Sequence, residues 1–314
     1  MRQMKVLVTG GAGFIGTNLI KKLLNLGHQV VCVDNFYSGD KKRIHLFERN
    51  KNYTFIEHDV REPLKINQKL NQIYNLACPA SPPVYQKNPL YTLETSVFGI
   101  VNMLKLAKEH QATFLQASTS EVYGDPLQHP QKESYRGNVN TVGPRSCYDE
   151  GKRVAETFCY LNFLERVDVR VIRIFNTYGP YMNPEDGRVI VNFIVQALNN
   201  QNITIYGDGS QTRSFCFISD LINGMIKYMS LKKKYFGPIN FGNPEEFSVK
   251  ELAEKVLKCI PKSKSKIVFR PLPVDDPLKR RPDISLARKI INWEPKIKFE
   301  EGLKETIIYF KSKE

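Results

Sequence analysis

The chain has 314 residues, enough for one large α/β unit or for such a unit with a smaller companion. A hydrophobic share of 41% permits a full core, and no apolar run approaches the roughly 18 residues a membrane span needs. The net charge of +14, from 46 Lys and Arg against 32 Asp and Glu, is spread along the chain without a nucleic-acid-binding pattern. It reads as a solvated basic surface with a small ligand-facing subset, so neither nucleic acid nor a membrane is an expected partner.

The first half alternates strands with helical periods. Lys5 to Thr9 predicts a strand, and its place almost at the start leaves no signal peptide expected ahead of it. Phe14, Ile15, Leu19, Leu23 and Leu26 follow at near-helical spacing, and Gly27 stops that helix. Strands are predicted at Val30 to Val33, Tyr53 to Ile56, Ile73 to Ala77, Phe114 to Ser118 and Val169 to Phe175. Long helices are predicted after Pro89 and from Cys147 to Leu164. Such alternation implies parallel pairing, hence an α/β doubly wound sheet of Rossmann type. After about Tyr178 the pattern loosens into Pro and Gly turns, which predicts a smaller C-terminal lobe over the carboxyl ends of the strands. The expected division is 1–178, with a returning segment near 214–242, for cofactor, and 179–314 mainly for substrate.

Six cysteines at 32, 78, 147, 159, 216 and 259 form no C-x-x-C pair, which fits reduced thiols and a cytoplasmic setting. The five histidines lack metal-ligand spacing, so no metal is expected.

Two constellations carry chemistry. Thr9-Gly10-Gly11-Ala12-Gly13-Phe14-Ile15-Gly16 joins the first strand to the first helix and satisfies both G-x-G-x-x-G and G-x-x-G-x-x-G. The missing side chains permit a tight turn and close approach of a pyrophosphate to the helix N-terminus. Asp34, 18 residues after Gly16, ends the next strand, where a carboxylate binds a ribose diol and repels a 2′-phosphate. NAD is therefore favoured over NADP, although Lys41, Lys42 and Arg43 lie nearby. Asp59-Val60 is a plausible adenine contact. Tyr148-Asp149-Glu150-Gly151-Lys152 places Tyr and Lys on one helix face. A Lys ammonium near a phenol favours the phenolate, so Lys152 is expected to lower the Tyr148 pKa and make it a base for a sugar hydroxyl. A hydroxyl at the end of the preceding strand, Thr119 or alternatively Ser120, would hold the substrate oxygen beside it.

These motifs, with Leu76 to Pro83, Ser118 to Pro126, Gly143 to Arg153, Asp186-Gly187-Arg188-Val189, Tyr206 to Phe215 and Lys279 to Asp283, resemble the extended short-chain dehydrogenase/reductases. Within that family the chain looks like the UDP-glucuronate decarboxylases over nearly its whole length. The resemblance implies oxidation at C4 of the glucuronate by NAD, loss of CO2 from the β-keto acid, and return of the hydride to give UDP-xylose. It implies Tyr148, Lys152, Thr119, Glu121 and Arg280 as catalytic residues, with Glu121 near ring carbon 5 and Arg280 aiding decarboxylation. Gly10, Gly13, Phe14, Ile15, Gly16, Asp34, Asn35, Asp59, Val60, Leu76 and Ala77, with Tyr148 and Lys152, would meet the cofactor. Pro82, Tyr85, Glu121, Asn176, Arg188, Val189, Tyr206, Arg213 and Arg280 would meet the UDP-sugar. Arg213 is expected at the diphosphate, Tyr206 near the uridine, and Asn176 at the diphosphate or sugar.

The family is commonly dimeric through helices equivalent to 89–110 and 148–166, so a homodimer is expected. Arg136, Thr141 and Tyr181 depart from the decarboxylase pattern. The rival readings are a nucleotide-sugar 4-epimerase, a 4,6-dehydratase, and an NAD-binding sensor or scaffold. Ser120-Glu121, where a dehydratase carries Asp-Glu, argues against the dehydratase.

Overall fold

The computed structural model describes residues 3–271 and 279–312. Apolar runs such as Val6-Leu7-Val8 are buried on both faces, as central strands of a parallel sheet require. Strands β1 (Lys5–Thr9), β2 (Gln29–Asp34), β3 (Tyr53–Glu57), β4 (Gln72–Asn75), β5 (Thr113–Thr119) and β6 (Val169–Ile174) lie in one sheet. The chain moves outward from β1 to β2 and β3, then returns past β1 to β4 and continues to β5 and β6. The direction reverses between β1 and β4, where a doubly wound sheet opens its ligand crevice.

Alternate strand residues feed two cores. Leu7, Ile73, Phe114 and Val171 pack against α3 (Pro89–His110) and α4 (Ser146–Leu164). Val6, Val8, Tyr74, Leu115 and Ile172 face the other side, where α1 (Phe14–Asn25) packs. A one-turn helix, α2 (Pro82–Tyr85), lies between β4 and α3. Its neighbour α3 starts cleanly because Asn88 accepts a hydrogen bond from the Tyr91 amide, with Pro89 in the first turn.

Beyond β6 the strands are two to four residues long, too short to show alternation in the sequence. Strand β7 (Thr177–Tyr178) pairs with β10 (Cys216–Phe217), and β8 (Ile203–Tyr206) with β13 (Ile267–Arg270). Strand β9 (Thr212–Ser214) lies between β12 (Glu246–Ser248) and β14 (Lys279–Arg280). Helices α5 (Val189–Leu198), α7 (Val249–Cys259) and α9 (Phe299–Lys311) share the α1-side core with them. The chain also returns to the large sheet. Strand β11 (Pro238–Phe241) pairs in parallel with β6, and α6 (Ile218–Met229) packs beside α1. Helix α8 (Ser285–Ile291) follows β14.

Candidate active site

A cleft of about 620 Å³ opens at the carboxyl ends of β1, β2, β4 and β5 and is closed by segments from the later residues. At its base lies the glycine turn. Gly10 has φ +66°, and a Cβ there would sit 2.9 Å from the Ala77 amide nitrogen. A Cβ on Gly16 would lie 2.2 Å from the Gly10 carbonyl oxygen. Both positions therefore exclude any side chain. Gly11 lies away from the cleft, where a Cβ would strike Cys32 Sγ and Ile20. The wider spacing, Gly10, Gly13 and Gly16, is thus the one that lines the cleft. Thr9 ties the strand ends together: its hydroxyl donates to Asn75 Oδ1 at 2.8 Å and accepts from the amides of Leu76 and Ala77. Helix α1 brings no capping side chain and no acidic residue in its first turn. Its first N–H groups and the positive end of its dipole are left for a pyrophosphate. The cradle fits a dinucleotide.

Toward β2, Asp34 is buried and accepts from the amides of Ala12 at 3.0 Å and Phe36 at 2.8 Å. Burial raises its pKa, and those amides oppose the rise. Arg43 reaches the same corner and donates to the Ala12 carbonyl at 3.0 Å. The Asp59 carboxylate is already engaged within the wall. It accepts from Asn35 Nδ2 and the Tyr91 hydroxyl, each at 3.1 Å, and from the Arg61 guanidinium. Arg61 lies 4.1 Å from the Tyr91 ring centroid and also binds Glu94. Val60, Leu76, Ala77, Phe14 and Ile15 line the same half of the cleft.

Past the sheet, Tyr148 and Lys152 project from the first turns of α4. Lys152 corrects one expectation from the sequence. Its ammonium donates to the Ala117 carbonyl at 2.9 Å and lies 5.7 Å from the Tyr148 ring centroid. Burial pushes the Tyr148 phenol above its ordinary value, Cys78 and Glu121 add to the rise, and the Thr119 hydroxyl opposes it. The phenol thus lies above its ordinary value in this state rather than below it, because desolvation outweighs the groups that favour the phenolate. Thr119 closes β5 and accepts from the Glu121 amide at 3.2 Å.

Glu121 sits at the centre of a buried charge cluster. One carboxylate oxygen accepts from Arg145 and the other from Arg280. Arg280 comes from β14, whose parallel pairing with β9 sets it opposite Arg213, and it also donates to the Gly124 carbonyl at 2.9 Å. Burial opposes ionisation of Glu121, but Arg280 and Arg145 overcome it and hold the carboxyl down to about 2. Pro82, Tyr85, Asn176, Arg188, Val189, Tyr206 and Arg213 line this half. Arg188 pairs with Asp186 at 3.1 Å, and Tyr206 is half-exposed at the mouth.

The structure thus brings the expected cofactor and substrate residues into one cleft, whereas Arg136, Thr141 and Tyr181 lie outside its lining. Sequence reasoning assigned no role to Arg145, Arg61 or Tyr91. Arg145 stands three residues before Tyr148, which was a usable signal. Arg61 and Tyr91 meet only through folding, 30 residues apart in the chain.

A family model described as GDP-mannose 4,6 dehydratase matches residues 7–306. The chain belongs to the NAD-dependent epimerase/dehydratase family. It is 52% identical over 307 residues to UDP-glucuronic acid decarboxylase 1 of Danio rerio, covering 98% of this chain and 72% of the relative. It is 51% identical over 314 residues to UDP-glucuronic acid decarboxylase 1 of Arabidopsis thaliana, covering 99% and 71%. Among solved members of the family, the Bacillus cereus UDP-glucuronic acid 4-epimerase, in complex with UDP-glucuronic acid and NAD, is similar. Its TM-score is 0.88 at 28% identity, over 99% of this chain and 100% of that one. NAD is the cofactor of this family fold.

Proposed function

We propose that this chain decarboxylates UDP-glucuronate to UDP-xylose through a 4-keto sugar, as a carbon–carbon lyase that leaves its cofactor unchanged overall. The observation that carries the reading is the placement of the buried Glu121–Arg145–Arg280 cluster in the same cleft as Tyr148 and the glycine turn. The relatives at about half identity are UDP-glucuronic acid decarboxylases, and they support the same reading.

NAD, held by the Gly10–Gly16 turn and Asp34, would supply the hydride acceptor and donor for C4. Tyr148 takes the proton of the C4 hydroxyl, and Thr119 holds that oxygen. Lys152 keeps the turn of α4 fixed to the end of β5. Once C4 is a ketone, the electron pair of the C5–carboxylate bond moves into it as CO2 leaves, and C5 then takes a proton from water. Arg280 and Arg145 face the substrate carboxylate, while Glu121 keeps them oriented and stands near C5. Tyr148 finally returns its proton to the C4 oxygen as the hydride comes back.

In this reading residues 1–178, with the returning segment near 214–242, hold NAD. Residues 179–314 hold mainly the UDP-sugar, with Arg213 at the diphosphate and Tyr206 near the uridine. The setting is cytoplasmic. The assembly is a homodimer, supported by an apolar surface on the paired helices α3 and α4. Phe98, Val101, Leu161 and Leu164 are exposed there.

A 4-epimerase is the second reading, favoured by the fold match to the Bacillus cereus enzyme. One assay separates them. Purified protein with NAD and UDP-glucuronate should release CO2 and form UDP-xylose. Formation of UDP-galacturonate without CO2 would assign the epimerase, and no conversion at all would leave only a binding protein.

A further inference from the structure

Asp149 follows Tyr148 in the first turn of α4, yet it does not line the cleft. It is 5% exposed, and its Oδ1 has no hydrogen-bond partner among the described residues. Two other buried polar atoms near the same cluster, Tyr85 Oη and Arg280 Nε, are also unpartnered. An ionised carboxylate left this way costs far more than a protonated one.

Tyr85 faces Asp149 from α2, Glu121 from the turn after β5, Arg145 from the start of α4, and Arg280 from β14. Its own helix adds Glu150 and Cys147, and Arg213 reaches Glu121 from β9. Ser96 and Leu93 of α3 lie against Gly151, on the same helix as Asp149. Burial pushes the Asp149 carboxyl up to about 7, Glu121 adds to the rise, and Arg145 and Arg280 oppose it.

Charge counting then decides what the cluster accepts. Arg213 is taken up by the diphosphate in the proposed function; of the remaining charges, Arg145 and Arg280 bring two positive and Glu121 one negative. With Asp149 neutral, the sum is one positive charge, which a substrate carboxylate cancels. With Asp149 ionised the sum is zero, and a carboxylate would enter as an uncompensated charge in a buried site. We propose that Asp149 is a positioning residue that is neutral in the substrate complex, and that the proton it takes up lets the cluster accept a carboxylate-bearing sugar. Proton uptake and carboxylate binding are then coupled, and each strengthens the other. The inference rests on the decarboxylase reading and extends it to substrate choice.

The test is calorimetric titration of the NAD-loaded protein with UDP-4-deoxy-4-fluoro-glucuronate, which has no C4 hydroxyl to oxidise. Repeating it at pH 8 in buffers of different ionisation enthalpy counts protons. The expected result is uptake approaching one proton with this ligand and none with UDP-xylose. The dissociation constant should also rise by up to about tenfold per pH unit above pH 7. Asp149→Asn should abolish the uptake and flatten that rise. Carboxylate binding without proton uptake in the wild-type protein overturns the proposal but leaves the decarboxylase reading intact, and so does unchanged uptake in the variant. Failure of both sugar nucleotides to bind overturns both.

Discussion

The rings of Tyr85 and Tyr148 lie parallel, 5.1 Å between centroids and 4° between planes. The stack holds the Tyr148 ring through its faces and leaves the hydroxyl to the chemistry. Tyr148→Phe should therefore keep the stack, bind NAD and UDP-glucuronate with little change, and lose about 10²–10⁴ in turnover. Steady-state rates with separate binding titrations check this, and wild-type turnover in the variant would remove Tyr148 as the base.

Lys152 ties α4 to the Ala117 carbonyl. Lys152→Met removes one of two side-chain donors to that buried acceptor, which also accepts from Gln116 Nε2 at 3.1 Å, and should cost about 0.5–1.5 kcal/mol of stability besides the loss of activity. Urea unfolding of the NAD-free protein measures the cost. An unchanged midpoint would mean that Lys152 acts only on the reacting groups.

At Gly16 the obstacle to a side chain is backbone, 2.2 Å away at the Gly10 carbonyl oxygen. Gly16→Ala must therefore open the turn. It should destabilise the fold by about 1–3 kcal/mol and weaken NAD binding more than UDP binding. Paired titrations with the two ligands decide it.

Two carboxyls give opposite pH signatures. Glu121 is held at about 2 in the fold, below its ordinary 4.5. Its stabilisation is complete above pH 4.5 and is lost as pH falls toward 2. Asp149 is raised from 3.8 to about 7, so its preference for the fold is complete below 3.8 and is lost as pH rises to 7. The stability of Asp149→Asn relative to wild type should grow from pH 4 to 7 and then level. Denaturation midpoints across that range measure it, and a constant difference would place Asp149 in an ordinary solvated setting.

The exposed apolar residues of α3 and α4 make the assembly testable. Phe98→Lys with Leu161→Lys should convert a dimer to a monomer in sedimentation velocity while the far-ultraviolet spectrum stays unchanged. A wild-type protein that sediments as a monomer would remove the proposal.

The nucleotide half of the fold was legible because its signals are local. A glycine spacing, an acidic strand end and strands of four to seven residues announce themselves within 20 or 30 positions of chain. The small sheets of the later residues were not legible, since strands of two to four residues carry no period. Arg280 shows the difference most plainly. Nothing in Lys279-Arg280-Arg281-Pro282 marks one arginine for the site, and only family resemblance singled it out. Pairing of β14 with β9 buries it against Glu121, 159 residues away in the chain.

The sequence by itself determined which groups are available: a glycine turn, a Tyr and a Lys one helical turn apart, and a Thr followed by Ser and Glu. Their spacing alone brings them to the ends of neighbouring strands and helices. Only the tertiary structure decided their charge states and partners. Burial lifts Tyr148 and Asp149, two arginines hold Glu121 ionised, and a backbone carbonyl takes the ammonium of Lys152. Those outcomes depend on how much water is excluded and on which distant residue fills the space, and neither quantity is local along the chain.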